Sequence, residues 1–232
     1  MYTKNISRRD FLKAAGLALG LSSVACCGLG YAASRSSETP MMEMSGSAKR
    51  EVETPSFTYG KDSIMNSRIL VAYATRTGSS AEVAAKIAET LAAAGSIVDL
   101  RPIQENPRLE GYSAVVLGSA INGAEWLPEA VQYVREHQAV LRGLPLALVC
   151  VHIMNLGDDD QSGAKRLAYL NEVRELVQPV DEAYFAGIGM QPDQGSRFER
   201  WLYQAFKIGP EGDCRDWNII RAWAGSLAAK LQ

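Results

Sequence analysis

The chain has 232 residues, 47% hydrophobic and 22% charged, which is globular composition and enough for one sizeable domain with residues left over. Its formal net charge of −2 leaves no basic excess to neutralise a phosphate backbone, so a general nucleic-acid binder is set aside. Four cysteines are too few and too scattered for a disulfide framework, and the adjacent Cys26 and Cys27 do not stand at metal-ligand spacing. Cys150 is expected in a buried strand, where packing is its ordinary role.

Ser7, Arg8, Arg9, Asp10, Phe11, Leu12 and Lys13 precede an apolar run from Ala14 to about Ala33, interrupted by Gly16, Gly20, Gly28 and Gly30. This resembles a twin-arginine signal, an address read by an export receptor, and residues 1–33 are therefore kept out of the fold. Three fates stay open: cleavage near Gly30, Tyr31 and Ala32, lipidation at Cys26, or retention as a membrane anchor. For the last, an apolar run of roughly 17–20 residues is barely long enough. Export is the expectation, to the periplasm or the outer face of the cytoplasmic membrane. Residues 34–66 are rich in Ser, Glu, Thr, Met and Pro without sustained periodicity, which predicts a disordered tether.

From Arg68 onward the pattern changes. Residues 69–74 are apolar throughout, as expected for a short strand buried on both faces of a sheet. A turn at 75–79 leads into a helix over about 81–94, with Val83, Ala84, Ile87, Ala88 and Leu91 on one face and Gly95 at its end. Strands are predicted at 96–100, 112–119, 144–152 and 182–189, and helices at 128–141, 164–176 and 217–231. Five strands alternating with helices predict a doubly wound α/β domain over 67–232 with a parallel sheet in the order 2-1-3-4-5, helices covering both faces. In such sheets a ligand lies outside the carboxyl ends of the strands where the winding reverses, so the loops after Ala74, Ser119 and His152 should share one crevice.

The first of these loops is Thr75, Arg76, Thr77, Gly78, Ser79 and Ser80. It brings hydroxyls, a glycine where backbone must approach closely, and the amides of a helix start, together an anion site. It is neither a nucleoside-triphosphate loop nor a dinucleotide fingerprint, so a single terminal phosphate suits it best. On these residues the chain from Ile69 to Gln232 resembles flavodoxins, whose first loop reads Thr/Ser-x-Thr-Gly-x-Thr/Ser. Thr75, Thr77, Gly78 and Ser80 match. The resemblance implies FMN as cofactor, its phosphate enclosed by this loop; Arg76 either assists the anion or faces solvent.

By the same resemblance, the loop containing Ser119, Ala120, Ile121, Asn122 and Trp126 lies against the flavin ring. Trp126 is a stacking candidate, with packing beneath the sheet edge the alternative. The loop His152, Ile153, Met154 and Asn155 would contact the other side. His152 is a candidate proton donor to reduced flavin, although a hydrogen-bonded histidine at a strand end is the favoured reading. Asp158, Asp159 and Asp160 read first as a solvated run.

Residues 191–216 form an insertion before the final helix, carrying Phe198, Trp201, Leu202, Tyr203 and Phe206. With the ending Gly212, Asp213, Cys214, Arg215, Asp216, Trp217, it resembles the quinone-dependent protoporphyrinogen dehydrogenase branch more than a short carrier flavodoxin. The function expected is FMN-dependent electron transfer with a redox partner protein or quinone. A dehydrogenase of that branch and a flavin-free binding module on the same fold are the alternatives.

Overall fold

In the computed structural model, residues 52, 54–60, 67–189 and 210–231 are described. The signal at 1–33, Cys26 and residues 191–209 of the insertion lie outside them. The elements are β1 (Phe57–Tyr59), β2 (Arg68–Ala74), α1 (Ser79–Ala93), β3 (Ile97–Pro102), β4 (Ala114–Asn122), β5 (Glu125–Trp126), α2 (Pro128–Glu136), α3 (Gln138–Leu141), β6 (Leu146–His152), α4 (Asp160–Ala168), α5 (Asn171–Leu176), β7 (Asp181–Ala186) and α6 (Trp217–Leu227).

The apolar runs become parallel strands because a strand covered on both faces has no polar side to present. β3, β2, β4, β6 and β7 lie side by side in that order, which is 2-1-3-4-5 when the parallel strands are numbered along the chain. Side chains of β2 alternate between two cores. Ile69, Val71 and Tyr73 pack with Val83, Ile87 and Leu91 of α1 and Ile220, Ala224 and Leu227 of α6. Leu70 and Ala72 belong to the opposite core with Val131 and Val134 of α2 and Val173 of α5.

Several elements depart from the sequence reading. The predicted tether at 34–66 contains β1, which adds antiparallel to the edge of β3 and pairs Thr58 with Asp99. Three residues are too few to show a period of two, and what holds them is a partner distant in sequence. Asp99 is fully buried and accepts hydrogen bonds from the Thr58 hydroxyl, from Arg68 Nε at 2.8 Å and from the Tyr112 hydroxyl at 2.8 Å. Burial pushes this carboxyl up, but those donors outweigh it and hold the group below the usual aspartate range.

The crossover from β3 to β4 contains no α-helix; a single 3-10 turn, Ile103–Glu105, stands in its place. The helix predicted over 128–141 breaks at His137 into α2 and α3. The helix predicted over 164–176 starts earlier and is divided into α4 and α5. Its earlier start follows from a cap, because the Asp159 carboxylate accepts from Ser162 N at 2.9 Å and from Ser162 Oγ at 2.7 Å. One member of the acidic run thus has a structural partner. β7 stops at Ala186, and Ile188 makes an isolated bridge to Asp213.

Candidate functional site

The loop after β2 makes its turn through Gly78, whose φ of +91° is left-handed backbone that a side chain strains to adopt. Gly78 N donates to Thr75 Oγ1 at 3.0 Å, which pulls the loop tight beneath the start of α1. The amides of Ser79, Ser80 and Ala81 then open the helix without intrahelical acceptors, and no side chain caps them. Ser79 and Ser80 are buried, Arg76 and Thr77 exposed. Ser80 Oγ is buried and has no hydrogen-bond partner among the described residues. Arg76 is turned to Glu129 in the first turn of α2, forming a two-pronged ion pair with Nη2 to Oε2 at 2.9 Å. The cation that stands in the loop is therefore already engaged.

After Ser119 the chain does not leave the sheet. β4 continues to Asn122 and returns as β5 through a two-residue turn, Gly123 at φ 64° and Ala124 at φ 71°. Ser119 is buried inside this hairpin, its hydroxyl accepting from Leu127 N at 3.1 Å and donating to Ala120 O at 2.9 Å. Ser119 is thus a brace for the hairpin. Trp126 pairs across from Ile121 and is only 3% exposed. Its indole N–H points to Cys150 Sγ at 3.1 Å within the core on the α2 side. Of the two readings of Trp126, packing beneath the sheet is the one this burial supports, and stacking on a ligand is not. Ala120 and Ile121 are half-buried and Asn122 exposed, so these residues are the accessible part of the loop.

His152 ends β6 and is also enclosed, at 3% exposure. Its Nδ1 lies 2.7 Å from Met154 O, so in the neutral ring this nitrogen is the donor. Burial pushes its pKa below the ordinary histidine value, the Met154 carbonyl opposes this, and the nearby Arg166 charge reinforces it. The candidate proton donor is therefore a buried neutral ring that fixes the loop after it. Tyr169 OH reaches Met154 O at 3.2 Å, and Asn155 Nδ2 reaches the Tyr169 hydroxyl at 2.6 Å. Arg166 Nη1 binds the carbonyls of Asn155 and Gly157, each at 2.6 Å. Of this loop, Met154 is the residue left well exposed, at 47%, while Ile153 and Asn155 are half-buried.

Two neighbours were not singled out from the sequence. Gly187 lies against the first loop, since a Cβ there would stand 3.1 Å from Val151 Cγ1 and 3.4 Å from Ser79 Oγ. A glycine directly after the fifth strand was the available signal. Arg215, within the noted Gly212-to-Trp217 ending, bridges Glu82 of α1 and Asp213, each at 2.8 Å, and lies over the Trp217 ring at 4.4 Å. It ties the start of α6 to the first turn of α1.

Register puts the three loops at one end of the sheet, because Ala74 pairs with Ser119 and Ser119 with Cys150. A doubly wound parallel sheet whose switch-point loop opens a helix with uncapped amides has the architecture of a mononucleotide-binding domain. The chain belongs to the flavodoxin-domain family, whose profile matches residues 70–200. Over 89 residues it is 27% identical to protoporphyrinogen IX dehydrogenase [quinone] of Escherichia coli strain K12, covering 38% of this chain and 49% of that protein. The protein of the same name from Escherichia coli O157:H7 matches to the same extent. The chain thus spans about half the length of the curated relatives it matches.

Among solved structures, an archaeal flavodoxin aligns with a TM-score of 0.45 and 13% identity, covering 71% of this chain and 98% of that one. A cysteine-to-serine mutant flavodoxin from Pseudomonas aeruginosa aligns with a TM-score of 0.43 and 16% identity, with the same coverage.

FMN is the cofactor of this family, and the residues present fit its phosphate. The uncapped helix-start amides and the buried Ser80 hydroxyl, which has no partner among the described residues, stand together at the start of α1, and the absence of a side chain at Gly78 keeps the turn beside them narrow. Thr75, Thr77, Gly78, Ser79 and Ser80 would hold the phosphate.

Proposed function

We propose that this protein is an exported FMN-dependent electron carrier that serves a redox partner protein. The observation that carries the FMN site is Ser80, whose buried hydroxyl has no partner among the described residues and stands at the helix start where the family encloses phosphate. Bound FMN supplies the redox chemistry. The chain's own contribution is to hold the site ready. Ser119 and Trp126 brace the second loop, and His152, Arg166 and Tyr169 brace the third, through bonds within the chain itself. Such preorganisation lowers the free energy of ordering on binding and limits rearrangement as charge changes.

Carrier is ranked above dehydrogenase because His152, the proton donor considered from the sequence, is enclosed and hydrogen-bonded. The likeness to the Escherichia coli protein over 89 residues supports the second reading, oxidation of protoporphyrinogen with a quinone as acceptor. Export rests on Arg8, Arg9 and the apolar run after them, all outside the described residues. No helix among the described residues is long and apolar enough to cross a membrane, so attachment would fall to that run or to a lipid on Cys26.

Purification of the full chain, followed by the absorption spectrum and mass of the released cofactor, tests the proposal. A colourless protein that takes up no added FMN ends it and leaves the flavin-free binding module. Flavin-loaded protein that forms porphyrin from protoporphyrinogen and a quinone anaerobically moves the assignment to the dehydrogenase. Fractionation of cells carrying Arg8→Lys with Arg9→Lys tests export, which predicts retention of the variant in the cytoplasm.

A further inference from the structure

Val52 and residues 54–59 precede the domain predicted from the sequence, yet residues 57–59 lie on the outer edge of the sheet and Val52 lies beside the phosphate loop. β1 is antiparallel to β3, so the chain before Phe57 heads toward the carboxyl end of β3, where the site lies. Its path is held at successive points. Arg101 Nη1 donates to Phe57 O at 2.9 Å, Ser56 Oγ donates to Glu105 Oε1 at 2.7 Å, and the buried Tyr73 donates its hydroxyl to Pro55 O at 2.9 Å. Thr58 is clipped to Asp99. At the far end Gly60 turns at φ +69° with its Cα so close to Ser96 that a Cβ would meet the carbonyl oxygen at 2.4 Å. At the near end Val52 Cγ1 lies 3.7 Å from where a Gly78 side chain would begin.

We propose that Val52 and the strap 54–59 form the outer wall of the FMN phosphate site, with Val52 packed over Gly78 and the Thr58–Asp99 clip holding the wall in place. The inference rests on the FMN reading and adds to it a segment that lies N-terminal to the family match at 70–200. A wall that packs against the phosphate loop is coupled to whatever fills it, and that coupling is reciprocal. Strap closure therefore strengthens binding of the phosphorylated flavin, and the phosphate in turn holds the strap on β3. Riboflavin, which lacks the phosphate, leaves the strap unaffected.

The test uses the full chain, stripped of flavin, with FMN and riboflavin as paired probes. Hydrogen exchange in the peptide covering 52–59 is expected to slow when FMN saturates the protein and to stay unchanged with riboflavin. Val52→Gly and Thr58→Val are each expected to raise the Kd for FMN about 5- to 10-fold, within the usual range of coupling between sites. The Kd for riboflavin should stay within about twofold.

Val52→Gly removes only the side chain against the loop, so it decides the matter should Thr58→Val fail to fold. Equal effects on the two flavins, or strap exchange indifferent to FMN, overturn the strap alone. A wild-type chain that binds neither flavin overturns the FMN reading and the strap with it.

Discussion

Replacing Ser80 by alanine should move stability and cofactor affinity in opposite directions. Ser80 is 2% exposed and its hydroxyl has no partner among the described residues, so burial there carries a cost that no hydrogen bond within them offsets. An unsatisfied buried polar group costs about 1–3 kcal/mol. Taking the low end, Ser80→Ala stabilises the flavin-free protein by about 1 kcal/mol, a rise in Tm of about 2–4 °C for a domain of this size. With FMN present, the variant forfeits a hydrogen bond to a charged phosphate worth about 1.5–3 kcal/mol, or about 10- to 150-fold in Kd. Thermal melts of the stripped protein and fluorescence titration with FMN read the two effects separately. The reasoning is refuted by a variant that melts lower without flavin, or by one that binds FMN as tightly as wild type.

Three further outcomes follow from groups described above. Asp99→Ala leaves Arg68 and Tyr112 without their acceptor and should destabilise the domain by about 3 kcal/mol, the lower part of the range for breaking a buried pair because Arg68 is half exposed. Since the folded protein holds Asp99 below its ordinary value, its stabilisation is present above the unfolded value and disappears as pH falls through the folded one. Urea midpoints measured down the acid range should show a wild-type loss that the variant lacks.

His152 has the same acid direction for a different reason: its folded pKa is depressed, so the unfolded chain takes up the proton first and stability falls as pH drops below the ordinary histidine value. His152→Gln should flatten urea midpoints through that range, and a variant with the wild-type slope would show that this ring is not the group responsible. Trp126→Ala should lose about 3–5 kcal/mol by emptying a core position. Trp126→Phe should leave FMN affinity within about twofold by titration, since the ring is packed and not presented to ligand.

What could be read without coordinates follows the range of the forces. β2, β4 and β6 announce themselves as unbroken apolar runs because burial on two faces acts on every residue in them. The turn at Gly78 and the helix that follows it are legible because both are local features. Trp126 illustrates the opposite. Its placement depends on a turn in which Ala124 adopts φ 71°, a residue type that gives no hint of that backbone, so the hairpin returning the ring to the core was invisible. The clip on Asp99 draws donors from Thr58, Arg68 and Tyr112, separated from it by 41, 31 and 13 residues. No local window contains such a set, and so β1 was read as tether.

The three-residue β1 also determines how the molecule meets copies of itself. Without it the outer edge of β3 would offer the unpaired amides and carbonyls of a six-residue strand, a template on which another chain could add. β1 occupies that edge and is itself too short to pass the template on, while Gly60 at φ 69° breaks the extended backbone at one end and Pro55 precedes the strand at the other. The segment that reaches the phosphate loop therefore also blunts the sheet, so a chain that loses its strap gains a surface for self-association.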